Sequence, residues 1–222
     1  MSRARKPAAV SLAADPGGQG ILFIVSAPSG AGKTSLVADL LKRDPAVVVS
    51  ISHTTRAKRP KEKQGVNYHF VGAQEFGEMV TANAFLEHAE VFGNAYGTSI
   101  AAVRAQLQTG SDVVLEIDWQ GAAQIRASHP EAVSIFIVPP SQAALRARLN
   151  NRAQDDPAVI ETRLAEARTD MAHYAEFDYL VINDAFEEAA NELHCIVVAE
   201  RIRCHRQGKR QHSLLEDLLS EP

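Results

Sequence analysis

The most constraining feature of this chain is a junction near its start. The apolar run Ile21–Val25 leads into Ser26-Ala27-Pro28-Ser29-Gly30-Ala31-Gly32-Lys33-Thr34, and Thr34–Arg43 follows with apolar residues at helical spacing. The run is apolar at both odd and even positions. That suits a strand buried on both faces, as in a parallel sheet covered by helices. A glycine-rich turn between such a strand and a helix lets backbone N–H groups curl around phosphate oxygens, and the helix N-terminus adds a positive field. The segment matches the Walker A pattern G-x-x-x-x-G-K-[ST] at Gly32, Lys33 and Thr34, with Ala27 in place of the first glycine. In that pattern the lysine reaches the β- and γ-oxygens and the hydroxyl serves Mg²⁺. A plain glycine turn is the competing reading, but it does not account for a Lys-Thr pair on the first helical turn.

Four further segments resemble the first strand: Val47–Ile51, Val113–Ile117, Val133–Val138 and Tyr179–Ile182. Helical spacing marks Ser99–Gln108, Gln120–Ser128, Ala143–Asn151, Pro157–Glu176 and Ala185–Arg206. Alternating strands and helices predict an α/β fold with a parallel sheet, whose ligands gather at the carboxyl ends of the strands. Residues 52–98 interrupt the alternation. They are polar, basic and turn-rich, with short alternating pieces at Tyr68–Val71 and Leu86–Val91, and they read as an inserted β-rich lobe. Residues 1–19 carry Ala, Pro and Gly without periodicity and read as a mobile arm.

Composition removes several function classes. Lys and Arg total 23 against 27 Asp and Glu, a formal charge of −4. A protein coating nucleic acid or anionic lipid usually carries the opposite sign. The longest apolar runs are five residues, Ile21–Val25 and Cys195–Ala199, far short of the roughly 20 needed to span a bilayer. Cys195 and Cys204 have no C-x-x-C spacing and read as free thiols. No nucleic acid and no membrane is expected as a partner, and the chain reads as soluble and cytoplasmic. The charge is uneven, however. Residues 56–63 hold five basic residues and one acid, and residues 146–152 hold three basic residues and none. The remainder is strongly acidic, so the two islands are candidate phosphate contacts.

A second chemical signal is Glu116-Ile117-Asp118, at the end of an apolar strand. A carboxylate there can hold the water shell of Mg²⁺ beside a phosphate loop. Asp118 also suits the start of a turn, and which acid lies nearer the metal is left open.

Taken together, SAPSGAGKTSL (26–36), SISHTTRAKRP (50–60), FLEHAEVFGNAYGTS (85–99), LEIDWQGA (115–122), IFIVPPS (135–141) and YLVINDAF (179–186) resemble guanylate kinase of the bacterial type, from about Gly20 to about Arg206. The resemblance implies a three-layer P-loop NTPase fold with an inserted GMP-binding lobe and a helical lid, and the reaction ATP + GMP → ADP + GDP. It implies a core of 20–51, 99–140 and 166–206, a lobe of 52–98, a lid of 141–165, and a tail or short helix over 207–222. Mg²⁺ is the implied cofactor, with ATP and GMP as substrates and dGMP as a further acceptor.

Site residues follow from the same match. ATP is implied on Ala27, Pro28, Ser29, Gly30, Ala31, Gly32, Lys33, Thr34 and Ser35. GMP is implied on Ser52, Arg56, Arg59, Tyr68, Glu87, Tyr96, Thr98 and Asp118, and Mg²⁺ on Thr34, with Glu116 and Asp118 acting through water. The implied catalytic cations are Lys33, Arg56, Arg148, Arg152 and Arg163. Glu87 is the implied base reader, because guanine presents N1–H and N2–H₂ side by side and one carboxylate accepts both. Without the match, Glu87 reads equally as a surface acid, and Arg56–Lys63 as a solvated loop. Two alternatives remain at this level. One is a non-catalytic scaffold that binds phosphopeptides, although such domains lose the loop lysine and lid arginines that this chain keeps. The other is a P-loop kinase for a different acceptor. The basic stretch Arg201–Arg210 either caps a terminal helix or pairs with another copy in a homo-oligomer built through the C-terminal helix.

Overall fold

The computed structural model describes residues 20–91, 93–152 and 157–220, without the side chains of 151, 152 and 157–159. The expected N-terminal arm therefore lies outside the described residues, as do positions 153–156 of the expected lid.

Five strands form the main sheet: β1 (Leu22–Ser26), β2 (Val47–Val49), β7 (Asp112–Glu116), β8 (Val133–Val138) and β9 (Tyr179–Ile182). Their order is β2-β7-β1-β8-β9, and every pairing is parallel. Strand β1 is central, with Ile24 between Leu115 and Ser134, and all five of its residues are buried. Its two parities serve two cores. Phe23 and Val25 pack with helices α1 (Lys33–Arg43) and α7 (Phe186–Arg201), through Leu36, Leu40, Leu193 and Val197. Leu22 and Ile24 pack with α3 (Ile100–Gln108) and α4 (Trp119–Ser128), through Val103, Leu107 and Ile125. This three-layer α/β arrangement explains why the run has no polar face.

A second sheet lies within residues 53–99, almost all of it in the expected inserted lobe of 52–98. It comprises β3 (His53–Thr54), β4 (His69–Phe70), β5 (Phe85–Val91) and β6 (Asn94–Ser99), in the order β4-β3-β6-β5. The β5–β6 hairpin sets Glu87 opposite Thr98. The same segment contains a helix the sequence did not suggest, α2 (Ala73–Thr81). Its signal is weak because Phe76 is its one buried residue and Gly72 offers no side chain to cap it.

Helices α5 (Gln142–Arg152) and α6 (Pro157–Met171) form a pair with its own small core of Leu145, Leu149, Ile160, Leu164 and Ala167. Two long helices expected from the sequence are shorter. The stretch Pro157–Glu176 ends its α-helix at Met171 and resumes as a 3₁₀ turn at Tyr174–Glu176. The interruption lays His173 flat on Trp119, with ring centroids 3.6 Å apart. The stretch Ala185–Arg206 breaks after Arg201. The chain continues as α8 (Cys204–Arg210) and α9 (His212–Leu219), so the tail is helical. The break folds Arg203 back onto Glu200, 2.9 Å away. Both cysteines are free, and among the described residues no helix is long and apolar enough to cross a membrane.

Candidate active site

The site is built at the carboxyl end of the sheet, where β1 opens into residues 27–32. Gly30 and Gly32 sit at φ 89° and 99°, a left-handed conformation that side chains resist. Ala27 is not among the positive-φ residues, and its methyl packs against the buried core. The pattern's first glycine is therefore dispensable here. Clearance also matters at Gly32, where an added Cβ would lie 2.2 Å from the Asn183 amide nitrogen. Asn183, 5% exposed at the end of β9, donates from Nδ2 to the Ala31 carbonyl at 2.7 Å. Arg148 of α5 donates to the Asn183 carbonyl at 2.8 Å and to the Ala31 carbonyl at 3.4 Å. Leu145 and Leu149 of the same helix approach Gly30. The loop is thus held from behind by β9 and from the side by α5.

Lys33 opens α1 and donates to the Ile117 carbonyl at 3.1 Å. Burial pulls its ammonium below its ordinary pKa, opposed by the charges of Glu116, Asp118, Glu87 and Asp170. Thr34 donates from its hydroxyl to Glu116 Oε2 at 3.1 Å. Asp118 is the N-cap of α4 and accepts from the Gly121 N–H at 2.8 Å. The turn-starting reading of Asp118 therefore holds, while Glu116 is the acid that touches the Thr34 hydroxyl.

Glu87 is the most deeply placed acid of the site, 4% exposed. Its Oε1 accepts from the Thr98 hydroxyl at 2.6 Å, and Ser52 lies 3.4 Å from that hydroxyl. Burial pushes the Glu87 carboxyl up to about 7, helped by Asp118 and resisted by the Thr98 hydrogen bonds and by Lys33. Glu87 is thus a buried acid hydrogen-bonded to the Thr98 hydroxyl, which Ser52 adjoins, and within the field of the loop lysine, not a surface acid on a short strand.

The basic island gathers around an acid of its own. Arg56 donates to Glu62 at 2.7 Å and to the Ala57 carbonyl at 2.9 Å, and its guanidinium lies 5.4 Å from the Tyr68 ring centre. Glu62 also accepts from the Arg59 backbone N–H at 2.8 Å. The Glu62 contact and a hydrogen bond to Tyr96 raise the Arg56 pKa, against desolvation. Tyr68 and Tyr96 meet edge to face at 5.8 Å. A cavity of about 380 Å³ is lined by Arg56, Arg59, Asn94 and Tyr96 on one side and by Thr162, Arg163 and Glu166 of α6 on the other. Arg163 thus faces the Arg56–Arg59 pair, while Arg148 lies against the phosphate loop. The side chain of Arg152 lies outside the described residues.

The arrangement is a backbone cradle with a lysine, a buried carboxylate with hydroxyl partners, and an arginine cluster with two tyrosines. A family model for guanylate kinase matches residues 19–200. The chain belongs to the guanylate kinase family. It is 56% identical to the guanylate kinase of Saccharophagus degradans, covering 90% of this chain and 98% of that one. It is 55% identical to that of Escherichia coli strain K12, covering 91% and 99%. The crystal structure of guanylate kinase from Anaplasma phagocytophilum superposes with a TM-score of 0.76 at 33% identity, covering 93% of this chain and 99% of that one. Enzymes of this name are kinases that phosphorylate GMP to GDP with ATP.

For this guanylate kinase family member, three structural contributors escaped the sequence reading. Glu62 is one acid amid five basic residues, in a stretch that otherwise reads as a solvated loop. Asn183 lay in a quoted motif, but its amide's reach to the loop depends on strand order. Gly121 also lay in a quoted motif, and its backbone angle is ordinary. Only the neighbour it admits marks it out.

Proposed function

We propose that this chain phosphorylates GMP with ATP, and that the two nucleotides meet between the phosphate loop and the second sheet. The observation that carries this reading is the buried Glu87 within the field of Lys33. A base-reading acid and a phosphate-binding lysine then share one crevice at the end of the sheet.

In this reading, residues 27–35 receive the ATP phosphates on backbone N–H groups, and Lys33 neutralises the bridging and terminal oxygens. Ionised Glu87 accepts guanine N1–H and N2–H₂. Thr98 and Ser52 supply the hydroxyls beside it, and Asp118 lies next to the amino group. Adenine would set a lone pair against the same carboxylate, and a buried unpaired polar group is a strong rejecting element. The acceptor phosphate is held by Arg56, Arg59, Tyr68 and Tyr96. Arginine meets phosphate oxygens bidentately, and tyrosine adds neutral donors. Its second pKa is about 6, so near neutral pH it attacks as a dianion and no general base is required.

The oxygen donors fit Mg²⁺. The Thr34 hydroxyl and a Glu116 carboxylate oxygen lie 3.1 Å apart, with Asp118 two residues on. Among the described residues no group of three or more acidic, His or Cys side chains could hold a metal. Mg²⁺ usually keeps several waters and borrows nucleotide oxygens, so one or two protein donors suffice for it. When bound, Mg²⁺ neutralises charge on the β- and γ-phosphates. Arg148, Arg152 and Arg163 then surround the transferring group as α5 and α6 approach the second sheet, and the closed arrangement keeps water from acting as acceptor. Residues 52–98 serve as the acceptor lobe and 141–165 as the lid.

A coupled assay of ADP release with ATP and Mg²⁺ against GMP, dGMP, AMP and UMP tests the reading. Rapid release with GMP, and with dGMP as a second acceptor, is expected. No release with GMP, or faster release with AMP, would overturn it.

A further inference from the structure

Gly121 is a glycine with no conformational reason to be one. It lies in the first turn of α4 and does not appear among the positive-φ glycines. Inside a helix, glycine costs about 1 kcal/mol relative to alanine. What it supplies is space. A Cβ built at Gly121 falls 2.6 Å from Glu87 Oε2, 3.2 Å from the Glu87 carboxyl carbon and 3.4 Å from Ile117 Cδ1. The first distance is below any real Cβ contact. Glu87 cannot easily yield, because its other oxygen is held by Thr98 at 2.6 Å and the side chain is buried.

We infer that Gly121 is a specificity-determining positioning residue: its missing side chain admits the Glu87 carboxylate to the start of α4, and so sets the depth at which the guanine edge is read. The inference rests on the proposed reading of Glu87 as the base acceptor. Two fixed points define where that carboxylate stands. Thr98 holds Oε1 from the second sheet, and Gly121 makes room for Oε2 on the core. The Gly121 N–H is itself engaged by Asp118 at 2.8 Å, so helix start, acid and cap are one packed unit. A methyl at 121 must displace Oε2, and the displaced carboxylate can no longer accept N1–H and N2–H₂ together.

The test is Gly121→Ala, with Glu87→Gln and the double variant beside it. Steady-state rates are measured against GMP, IMP and ATP, and melting temperatures are recorded for all three. IMP shares the N1–H and lacks the 2-amino group. For Gly121→Ala the expected result is a rise of tenfold or more in KM for GMP, a KM for ATP within twofold of the parent, and a reduced preference for GMP over IMP. In KM for GMP the double variant is expected to match Glu87→Gln alone, because position 121 acts on the base only through residue 87; the isosteric Gln still meets the added methyl, so the comparison is made on KM and not on melting temperature. A merely structural role for Gly121 would alter stability and both substrates together. An unchanged KM for GMP in Gly121→Ala, while Glu87→Gln is impaired, overturns this inference and leaves the base reading standing. An unimpaired Glu87→Gln overturns the base reading itself. Should Gly121→Ala fail to fold, it is combined with Glu87→Asp, whose shorter side chain withdraws from position 121; recovery of a folded protein with a parent-like melting temperature is expected, and no recovery overturns the inference.

Discussion

In the proposed function, the phosphate loop and the acceptor sheet solve the same problem, holding a phosphate, with different materials. The loop uses main chain. Its conformation comes from glycines at positive φ and from a central strand that points it at the crevice. The acceptor sheet uses side chains. Arg56, Glu62, Tyr68 and Tyr96 hold one another in place, the first three from the loop between two strands of two residues each. A backbone cradle needs particular residues only where a Cβ cannot fit or a charge is required, so it tolerates Ala27. A side-chain clamp shares its hold among several partners. Loss of one donor should therefore be graded in the clamp and nearly all-or-none at the loop lysine.

The sharpest way to break that comparison is Lys33→Ala. Turnover is expected to fall by two or more orders of magnitude, with the fold intact by circular dichroism, since Lys33 is a half-buried cation whose charge desolvation disfavours, so its removal costs the fold little. Near-normal turnover would mean the backbone alone suffices. Next is Glu87→Gln, where one acceptor becomes a donor facing N1–H. A loss of at least a hundredfold in kcat/KM for GMP is expected, with little change for ATP.

Glu87 also predicts a pH dependence with a definite sign. In the unfolded chain its carboxyl ionises in the ordinary range, while in the folded protein it holds its proton up to about 7. Between those values the unfolded state releases a proton that the folded state keeps, so stability falls as pH rises. Glu87→Gln is expected to remove that fall. Relative to the parent it should be more stabilising at pH 8.5 than at pH 5, by about 2 kcal/mol in denaturant titrations. An equal effect at both pH values would mean that burial does not set this pKa.

Asn183→Ala tests the support behind the loop. A buried hydrogen bond to the Ala31 carbonyl is lost, which costs about 1–2 kcal/mol of stability. KM for ATP should rise more than KM for GMP, because the support is on the donor side. The smallest effect is expected for Glu62→Gln. The Arg56–Glu62 pair is partly exposed and screened by solvent, so the stability change should be small. A several-fold change in KM for GMP, with none for ATP, would show that Glu62 orients the clamp. No change would mean that Tyr68, Tyr96 and the Ala57 carbonyl hold Arg56 unaided.

The two regions also differed in how openly the sequence announced them. The strand, the loop and the Lys33-Thr34 start of α1 are contiguous, and the parallel sheet follows from runs apolar at both parities. The proposed acceptor site joins Ser52, Arg56, Tyr68, Glu87, Tyr96 and Thr98, and only the fit to a known family pattern put those residues together. Helix α2 was missed because one buried phenylalanine makes a faint periodicity. The overlong readings at Pro157–Glu176 and Ala185–Arg206 share a cause. Apolar spacing continued past points where His173 and Arg203 turn back to meet Trp119 and Glu200. Such partners lie far off in the chain or on a neighbouring turn, and periodicity does not register them.

By itself, then, the sequence determined what local rules govern: buried parallel strands, a glycine loop charged with Lys33, and two cationic islands in an acidic chain. Tertiary structure decided everything that depends on one segment meeting another. It joined Glu116 to Thr34, set Arg163 across a cavity from Arg56, tied the loop to Asn183, and opened the gap at Gly121 that Glu87 fills. The physical reason is range. Backbone preference and hydrophobic period act over a few residues, whereas a hydrogen bond, an ion pair or a missing Cβ acquires meaning only from the atom that arrives beside it.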